Sequence, residues 1–171
     1  CEGLGAGEPL PGVRLRVVDG RIQVGGPTLM AGYWGEPALA TDAWFDTGDL
    51  GEIDAAGRLH VHARRADLIV TGGENVYPIE VEQALELAPG VAGAAVFGVA
   101  DEIWGQTVAA AIVADGAAPP DAQLAAWIAG RLAPHKRPRA VVYVPALPQT
   151  PGGKLDRAAL PALAARLRPL R

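Results

Sequence analysis

Apolar and polar positions alternate in short runs along the first third of the chain and form longer blocks after it. Residues 15–18 and 21–24 mix apolar side chains with Arg or Gln on either side of Asp19-Gly20, a two-residue connection suited to a tight hairpin. Further short β-like runs at 45–46, 50–54 and 58–62 are punctuated by Gly48, Gly51 and a turn over 54–57, with no helical period between them. Residues 1–62 are therefore predicted to be β-rich.

After Arg64-Arg65 the pattern changes. Residues 68–71 predict a short strand, Gly72-Gly73 a break, and 78–88 a helix, with Pro78 at its first position and Glu80 and Glu82 near the positive end of its dipole. Two buried strands are predicted over 91–99 and 107–113, with a polar turn over 101–106 between them. A helix over 121–132 places Leu124, Trp127, Ile128 and Leu132 on one face. Pro134 and Pro138 bracket a basic connector, 140–144 reads as another strand, and Asp156 is placed to cap a last helix containing Leu160, Leu163 and Leu167. The predicted fold class is α+β, with a boundary near residues 64–67. A β-rich segment of roughly sixty residues with exposed edges is marginal alone, so the chain reads as beginning within a domain.

Composition adds bounds. Half of the 171 residues are apolar and a fifth are charged, enough for a real core. The single cysteine is Cys1, so no intrachain disulfide forms, and a cytoplasmic setting is expected. The longest apolar stretches, around 91–100 and 108–114, are too short to span a bilayer, and no membrane partner is expected.

Charge is uneven. The net charge is −4, yet residues 131–171 hold nine Lys or Arg and one acid, Asp156, which leaves −12 on residues 1–130. This basic end is either a solvated face or a surface that attracts small phosphorylated ligands. Tyr143 is the one aromatic interleaved there, so nucleic acid is not expected. Within this arginine-rich chain there are only two lysines, Lys136 and Lys154, against thirteen arginines. Lys154 sits in a loop bounded by proline and glycine, Leu-Pro-Gln-Thr-Pro-Gly-Gly-Lys-Leu-Asp-Arg (147–157). An ammonium is a compact point charge that fits between two oxygens, whereas guanidinium is a flat fork. The loop is not a phosphate-binding P-loop, because Pro148 and Leu155 stand where that motif needs Gly and Ser or Thr.

Four ordered motifs give the loop its company: Gly-Tyr-Trp-Gly (32–35), Trp-Phe-Asp-Thr-Gly-Asp-Leu-Gly (44–51), Arg-Arg-Ala-Asp-Leu-Ile-Val-Thr-Gly-Gly-Glu-Asn-Val-Tyr-Pro-Ile-Glu-Val-Glu (64–82), and the Lys154 loop. In this order and spacing the chain resembles the carboxyl-terminal part of the AMP-forming acyl-CoA synthetases, of the adenylate-forming superfamily. The resemblance implies a β-rich end of the large domain's barrel subdomain over 1–65. A mobile lid over 66–171 would follow, with a three-stranded sheet, a β-hairpin and flanking helices.

For function, the resemblance implies an acid–CoA ligase. A small carboxylic acid attacks the α-phosphate of ATP, bound with Mg2+, to give an acyl-adenylate and pyrophosphate, and the thiol of CoA then displaces AMP. Lys154 matches the catalytic lysine that bridges carboxylate and α-phosphate, a use of preorganised positive charge. Asp49 matches the ribose-binding aspartate, one carboxylate accepting from two hydroxyls. Arg64 matches a nucleotide-contacting arginine, although Ala63 replaces the usual preceding glycine and Arg65 competes with it. Ala66 falls at the hinge, where Asp or Lys is usual. Thr71, Gly72, Gly73 and Glu74 match the loop that lines the pantetheine tunnel, where glycines admit close backbone approach. Such a turn also joins a strand to a helix.

Other candidates carry less. His135 and Lys136 fall where the family contacts CoA phosphates, or on a solvated surface. His60 and His62 lie at strand spacing without a third ligand, so they read as an exposed strand pair and no metal site is expected. Trp104 reads as packing. The phosphate-cradling loop and acyl pocket of the family have no counterpart in these residues, so a missing amino-terminal large domain is the implied partner. The chain alone is expected to be inactive, and a homo-oligomeric full-length enzyme is left open. Within the family the wording most resembles 2-succinylbenzoate–CoA ligases of menaquinone biosynthesis, with fatty-acyl and aryl-acid CoA ligases as alternatives. An adenylation domain serving a carrier protein and a non-catalytic isolated lid are the other readings.

Overall fold

A computed structural model describes residues 6–170, so Cys1 lies outside the described residues. The chain divides into two compact units, Cys1–Ala66 and Asp67–Arg171.

The first unit is an antiparallel sheet of β1 (Arg14–Val18), β2 (Arg21–Gly25), β3 (Phe45–Ile53) and β4 (Leu59–Arg64), in that order. Asp19 and Gly20 both take positive φ, 49° and 74°, as a turn matched to strand twist requires. Where the sequence suggests two short runs around Gly48, the structure has one nine-residue strand, β3, with register irregularities against both neighbours. The Asp-Thr-Gly-Asp segment supplies its own hydrogen bonds there. The Gly48 amide donates to the Asp46 carboxylate (2.9 Å) and the Asp49 amide to the Thr47 hydroxyl (3.2 Å). A strand can continue through such an irregularity because side chains satisfy the amides the ladder leaves out.

The core of this unit is thin. Among its described residues, Ile22 and Leu50 are the buried apolar side chains, while Tyr33 and Trp34 stand exposed. Between β3 and β4 the Asp54 carboxylate closes the turn, accepting from the Ala56 and Arg58 amides, the Arg58 guanidinium and the His60 ring.

The second unit is one six-stranded sheet. Its spine is a long antiparallel pair, β7 (Val91–Asp101) and β8 (Gly105–Ala114), with β9 (Ala140–Tyr143) parallel to β8. A short hairpin, β5 (Ile69–Thr71) and β6 (Glu74–Val76), joins β8 through the single pair Thr71 and Gly105. The expected three-stranded sheet and hairpin are both present and continuous. β10 (Arg168–Pro169) adds to β9. Helices α1 (Pro78–Glu86) and α2 (Asp121–Ala129) flank the sheet.

Strand alternation sorts the side chains into two cores. Val96, Ala110 and Val141 join Val81, Leu85, Leu124 and Ile128 of the helices in one cluster. Their neighbours Phe97, Ala111 and Val142 join Leu160, with Leu147, Leu155 and Leu163 packed against them, in the other. The Lys154 loop therefore belongs to the face opposite α1 and α2.

Two expectations change. Gly72-Gly73 is the turn of a hairpin, not a strand-to-helix connection, and the helix begins only after β6. The last segment, Arg157–Arg166, forms 3₁₀ turns rather than an α-helix. Pro161 has no N–H to donate and its ring crowds the preceding turn, so the wider i→i−4 pattern is unavailable. Asp156 does cap it, accepting from the Ala158 amide at 3.1 Å. Among the described residues, no helix is long and apolar enough to cross a membrane.

The Asp54 turn yields a pH prediction. The His60 hydrogen bond first, then those of Arg58 and Ala56, hold this carboxyl well below the ordinary 3.8 against a smaller burial effect. A depressed carboxyl binds its proton more weakly folded than unfolded. Its stabilisation is therefore complete above pH 3.8 and is lost as pH falls from there through the lower folded value. Carboxyl NMR should show Asp54 still ionised at pH 3.8, and a midpoint at that pH would contradict the network.

Candidate active site

The nominated residues fall in both units, and each unit is described by itself. In the first, Asp49 and Arg64 are direct cross-strand partners, with the Arg64 Nε 2.9 Å from the Asp49 carboxylate. The irregularity after Leu50 shifts the register between the strands, leaving these two residues opposite one another at the end of the ladder. The Arg64 side chain is 66 % exposed, so much of its guanidinium remains open to solvent. Arg65 and Ala66 lie beyond the strand in a 3₁₀ turn, Arg65–Asp67, and Arg65 has no partner among the described residues.

In the second unit, Thr71 is buried and pairs with exposed Glu74 across the hairpin turn. Gly72 and Gly73 take φ of 59° and 84°. A Cβ on Gly72 would lie 2.6 Å from the Trp104 ring, whereas one on Gly73 would meet nothing within 4 Å. Trp104 thus packs against the turn as expected, and its carbonyl accepts from the Gly72 amide at 2.9 Å. The Arg139 guanidinium stands 4.7 Å from the ring centroid. Asp101 fixes the Trp104 turn by accepting from the Trp104 and Ile103 amides, and these bonds hold its carboxyl below 3.8. Gln106 braces the hairpin by accepting from the Val70 amide at 3.0 Å. Arg139, Asp101 and Gln106 were not among the nominated residues. The Asp-x-x-Trp spacing is a legible side-chain-to-backbone turn signal, whereas the Arg139 contact spans distant segments.

The Lys154 loop is a narrow hairpin. Gly153 donates to the Thr150 carbonyl (2.9 Å), Thr150 to the Lys154 carbonyl (2.8 Å) and Asp156 to the Pro148 carbonyl (2.9 Å). Pro151 presets the first corner, and Gly153, at φ 76°, supplies the left-handed position that a three-residue connection needs. The Lys154 side chain follows directly, exposed, with no partner among the described residues.

The other basic residues near the C-terminus are mostly engaged. The Lys136 ammonium lies 2.7 Å from both oxygens of Glu80 in the first turn of α1. Arg137 donates to the Leu132 and Ala129 carbonyls at the C-terminus of α2. Arg168 pairs with Asp121, and Arg131 stacks on Trp127. Arg157 binds Glu82 with both Nη groups at 2.9 Å and reaches Asp67 at 3.3 Å. Burial opposes the charge of Arg157, but the hydrogen bonds and charge of Glu82, with Asp67, outweigh it and raise its pKa above the ordinary arginine value. Lys154 and Arg166 are the described cations of this region without a partner. His135, half-buried in a 3₁₀ turn, has none either.

Of the histidine pair on β4, His60 bonds Asp54 and His62 lies 3.9 Å from Glu52. Among the described residues, no group of three or more His, Cys, Asp or Glu is placed to hold a metal ion.

Known proteins share this fold. The structure superposes on an ATP-bound MatB from Rhodopseudomonas palustris with a TM-score of 0.84 at 38 % identity, over 92 % of this chain and 35 % of that one. For the o-succinylbenzoate CoA synthetase of Bacillus subtilis, in complex with its acyl-adenylate intermediate, the TM-score is 0.83 at 35 % identity, over 91 % and 35 %. The fold is that of the adenylate-forming enzymes. In sequence, residues 80–154 match the AMP-binding enzyme C-terminal domain.

A feruloyl-CoA synthase from an Amycolatopsis species is 43 % identical over 88 % of this chain and 31 % of its own length. A long-chain-fatty-acid–CoA ligase of Mycobacterium tuberculosis is 40 % identical over 83 % and 29 %. The 2-succinylbenzoate–CoA ligase of Geobacillus kaustophilus is 44 % identical over 84 % and 30 %. The chain is similar to these acyl- and aryl-CoA ligases, and it spans about a third of the length of these curated relatives. Similar identities to three different acid specificities mean that 2-succinylbenzoate is not singled out.

The Gly72 contact predicts a specific asymmetry. Both Gly72→Ala and Gly73→Ala strain a left-handed φ, but Gly72→Ala also drives a methyl into the Trp104 ring. Urea unfolding of the 171-residue chain should show Gly72→Ala less stable than Gly73→Ala by about 1–3 kcal/mol. Equal losses would mean that the ring yields freely.

Proposed function

We propose that this chain provides the lid and the adjoining nucleotide contacts of an ATP-dependent, AMP-forming acid–CoA ligase. Residues 1–65 act as the end of the large adenylation domain and 66–171 as the mobile carboxyl-terminal domain, with Ala66 as the hinge. The observation that carries this reading is the unpartnered Lys154 ammonium beside the glycine turn of a braced hairpin. Most cations around it hold carboxylates, carbonyls or rings, which leaves Lys154 available to a ligand.

The residues fit a nucleotide by their chemistry. ATP supplies the electrophilic α-phosphate and the pyrophosphate leaving group, with Mg2+ carried on its phosphates. Lys154 bridges the substrate carboxylate and the α-phosphate as negative charge gathers between them, a place where a fixed cation acts most strongly on the transition state. Asp49, held by Arg64, accepts from the ribose hydroxyls, and the exposed part of Arg64 meets the nucleotide. In the thioester step, the turn at Thr71, Gly72, Gly73 and Glu74 lines the pantetheine path, where glycine backbone permits close approach. His135 is free to meet a CoA phosphate, while Lys136 does so only by leaving Glu80.

The missing amino-terminal large domain supplies the acyl pocket and the phosphate loop, and the setting is cytoplasmic, in keeping with a chain whose single cysteine is Cys1. The acid itself is 2-succinylbenzoate in the first instance, with fatty-acyl and aryl acids as alternatives that the spread of relatives equally supports.

The test uses the complete ligase containing this chain. Lys154→Ala should reduce acyl-adenylate formation, followed by pyrophosphate exchange, by about 100-fold or more. Thioester formation from supplied acyl-adenylate and CoA should stay near the unsubstituted rate. Equal loss in both half-reactions would overturn the assignment of Lys154 to the first.

A further inference from the structure

Three residues after Lys154, the Arg157 guanidinium meets three separate parts of the second unit. Its two Nη groups hold both oxygens of Glu82 on α1 at 2.9 Å. Nη1 also reaches the Val96 carbonyl on β7 at 3.4 Å, and Nε lies 3.3 Å from Asp67, the first residue of this unit. Glu82 is 7 % exposed, and its Oε1 also accepts from the Val96 amide at 2.9 Å. A carboxylate this enclosed is costly to leave without its cation, so Arg157 has one strongly preferred position.

That position bears on Lys154. Between the two residues lie Leu155, packed into the second core, and Asp156, whose amide closes the base of the hairpin on Pro148. The hairpin tip has few anchors of its own beyond these backbone bonds. Fixing Arg157 therefore fixes the base from which Lys154 projects, and it does so relative to Asp67 at the unit boundary.

We propose that Arg157 is a positioning residue: through Glu82 and Asp67 it registers the Lys154 hairpin against the Ala66–Asp67 junction. The catalytic consequence rests on the ligase reading above. A planar fork satisfies Glu82 and Asp67 together, whereas a lysine ammonium is a single point that serves only one well. Asp67, by contrast, is the milder tie, because its side chain is 24 % exposed.

Two arms separate this proposal from the ligase reading. In the 171-residue chain, amide exchange measured by NMR should accelerate at Thr150, Gly153 and Asp156 by about tenfold in Arg157→Lys, and several-fold in Asp67→Asn, with the β7–β8 ladder unchanged. Unchanged loop amides in Asp67→Asn would overturn the junction tie, even if Arg157→Lys fails to fold. Uniform acceleration across the ladder in both variants would overturn a local positioning role.

In the complete ligase, Arg157→Lys should lower kcat for adenylation about tenfold while KM for ATP and the thioester half-reaction stay within about twofold. Parallel loss of both half-reactions would reduce Arg157 to a stability element. If the unsubstituted ligase forms no acyl-adenylate, the ligase reading fails, and the exchange arm still decides the positioning claim.

Discussion

Glu82 is the constraint around which the second unit is organised. It lies on the inward side of an amphipathic helix among Val81, Ala84 and Leu85, where an apolar residue would ordinarily stand. A buried carboxylate left without its cation costs about 3–5 kcal/mol, so the chain must bring Arg157 to it from seventy-five positions away. Meeting that requirement draws the segment after β9 across the sheet, joins it to Val96 on β7, and places Asp67 in the same cluster. Apolar packing alone is less directional, and could accept several positions for that segment.

The sheet makes this closure possible because consecutive residues serve opposite faces. Val96 belongs to the helical side and Phe97 to the other, and the same alternation runs through Ala110 and Ala111, then Val141 and Val142. Leu155, Leu160 and Leu163 need an apolar surface, and that second face supplies it. The hairpin carrying Lys154 is thus bounded by Leu155 on the core side and by Arg157 just beyond it, while its tip stays exposed.

The first unit works differently. Its core is small, and its order rests on strand pairing together with local side-chain bonds at Asp46, Thr47 and Asp54. The Phe-Asp-Thr-Gly-Asp motif is a structural device: Asp46 and Thr47 satisfy the amides of an irregular strand, and Asp49 meets Arg64.

Much of this was legible from residues 1–171 alone. Period-two and helical patterns, the Asp19-Gly20 turn, Pro78 and the Asp156 cap depend on neighbours within a few positions, so the α+β class and the element order follow from local physics. The ordered motifs likewise carried the resemblance to acyl-CoA synthetases, because four short strings at set spacing are a one-dimensional signal. Other features depend on which distant residues meet. Gly72 looked like a break before a helix, yet β5 and β6 pair across it, and the Trp104 ring packs on the resulting hairpin turn. Lys136 looked available until Glu80, fifty-six positions away, took its ammonium, and the surplus of positive charge was divided among carboxylates, helix ends and rings. The Arg157 cluster left no trace in any short window. Charge pairing across long sequence separations is decided by the folded arrangement, and it is there that Lys154, one lysine of two, is distinguished as the one whose ammonium has no partner among the described residues.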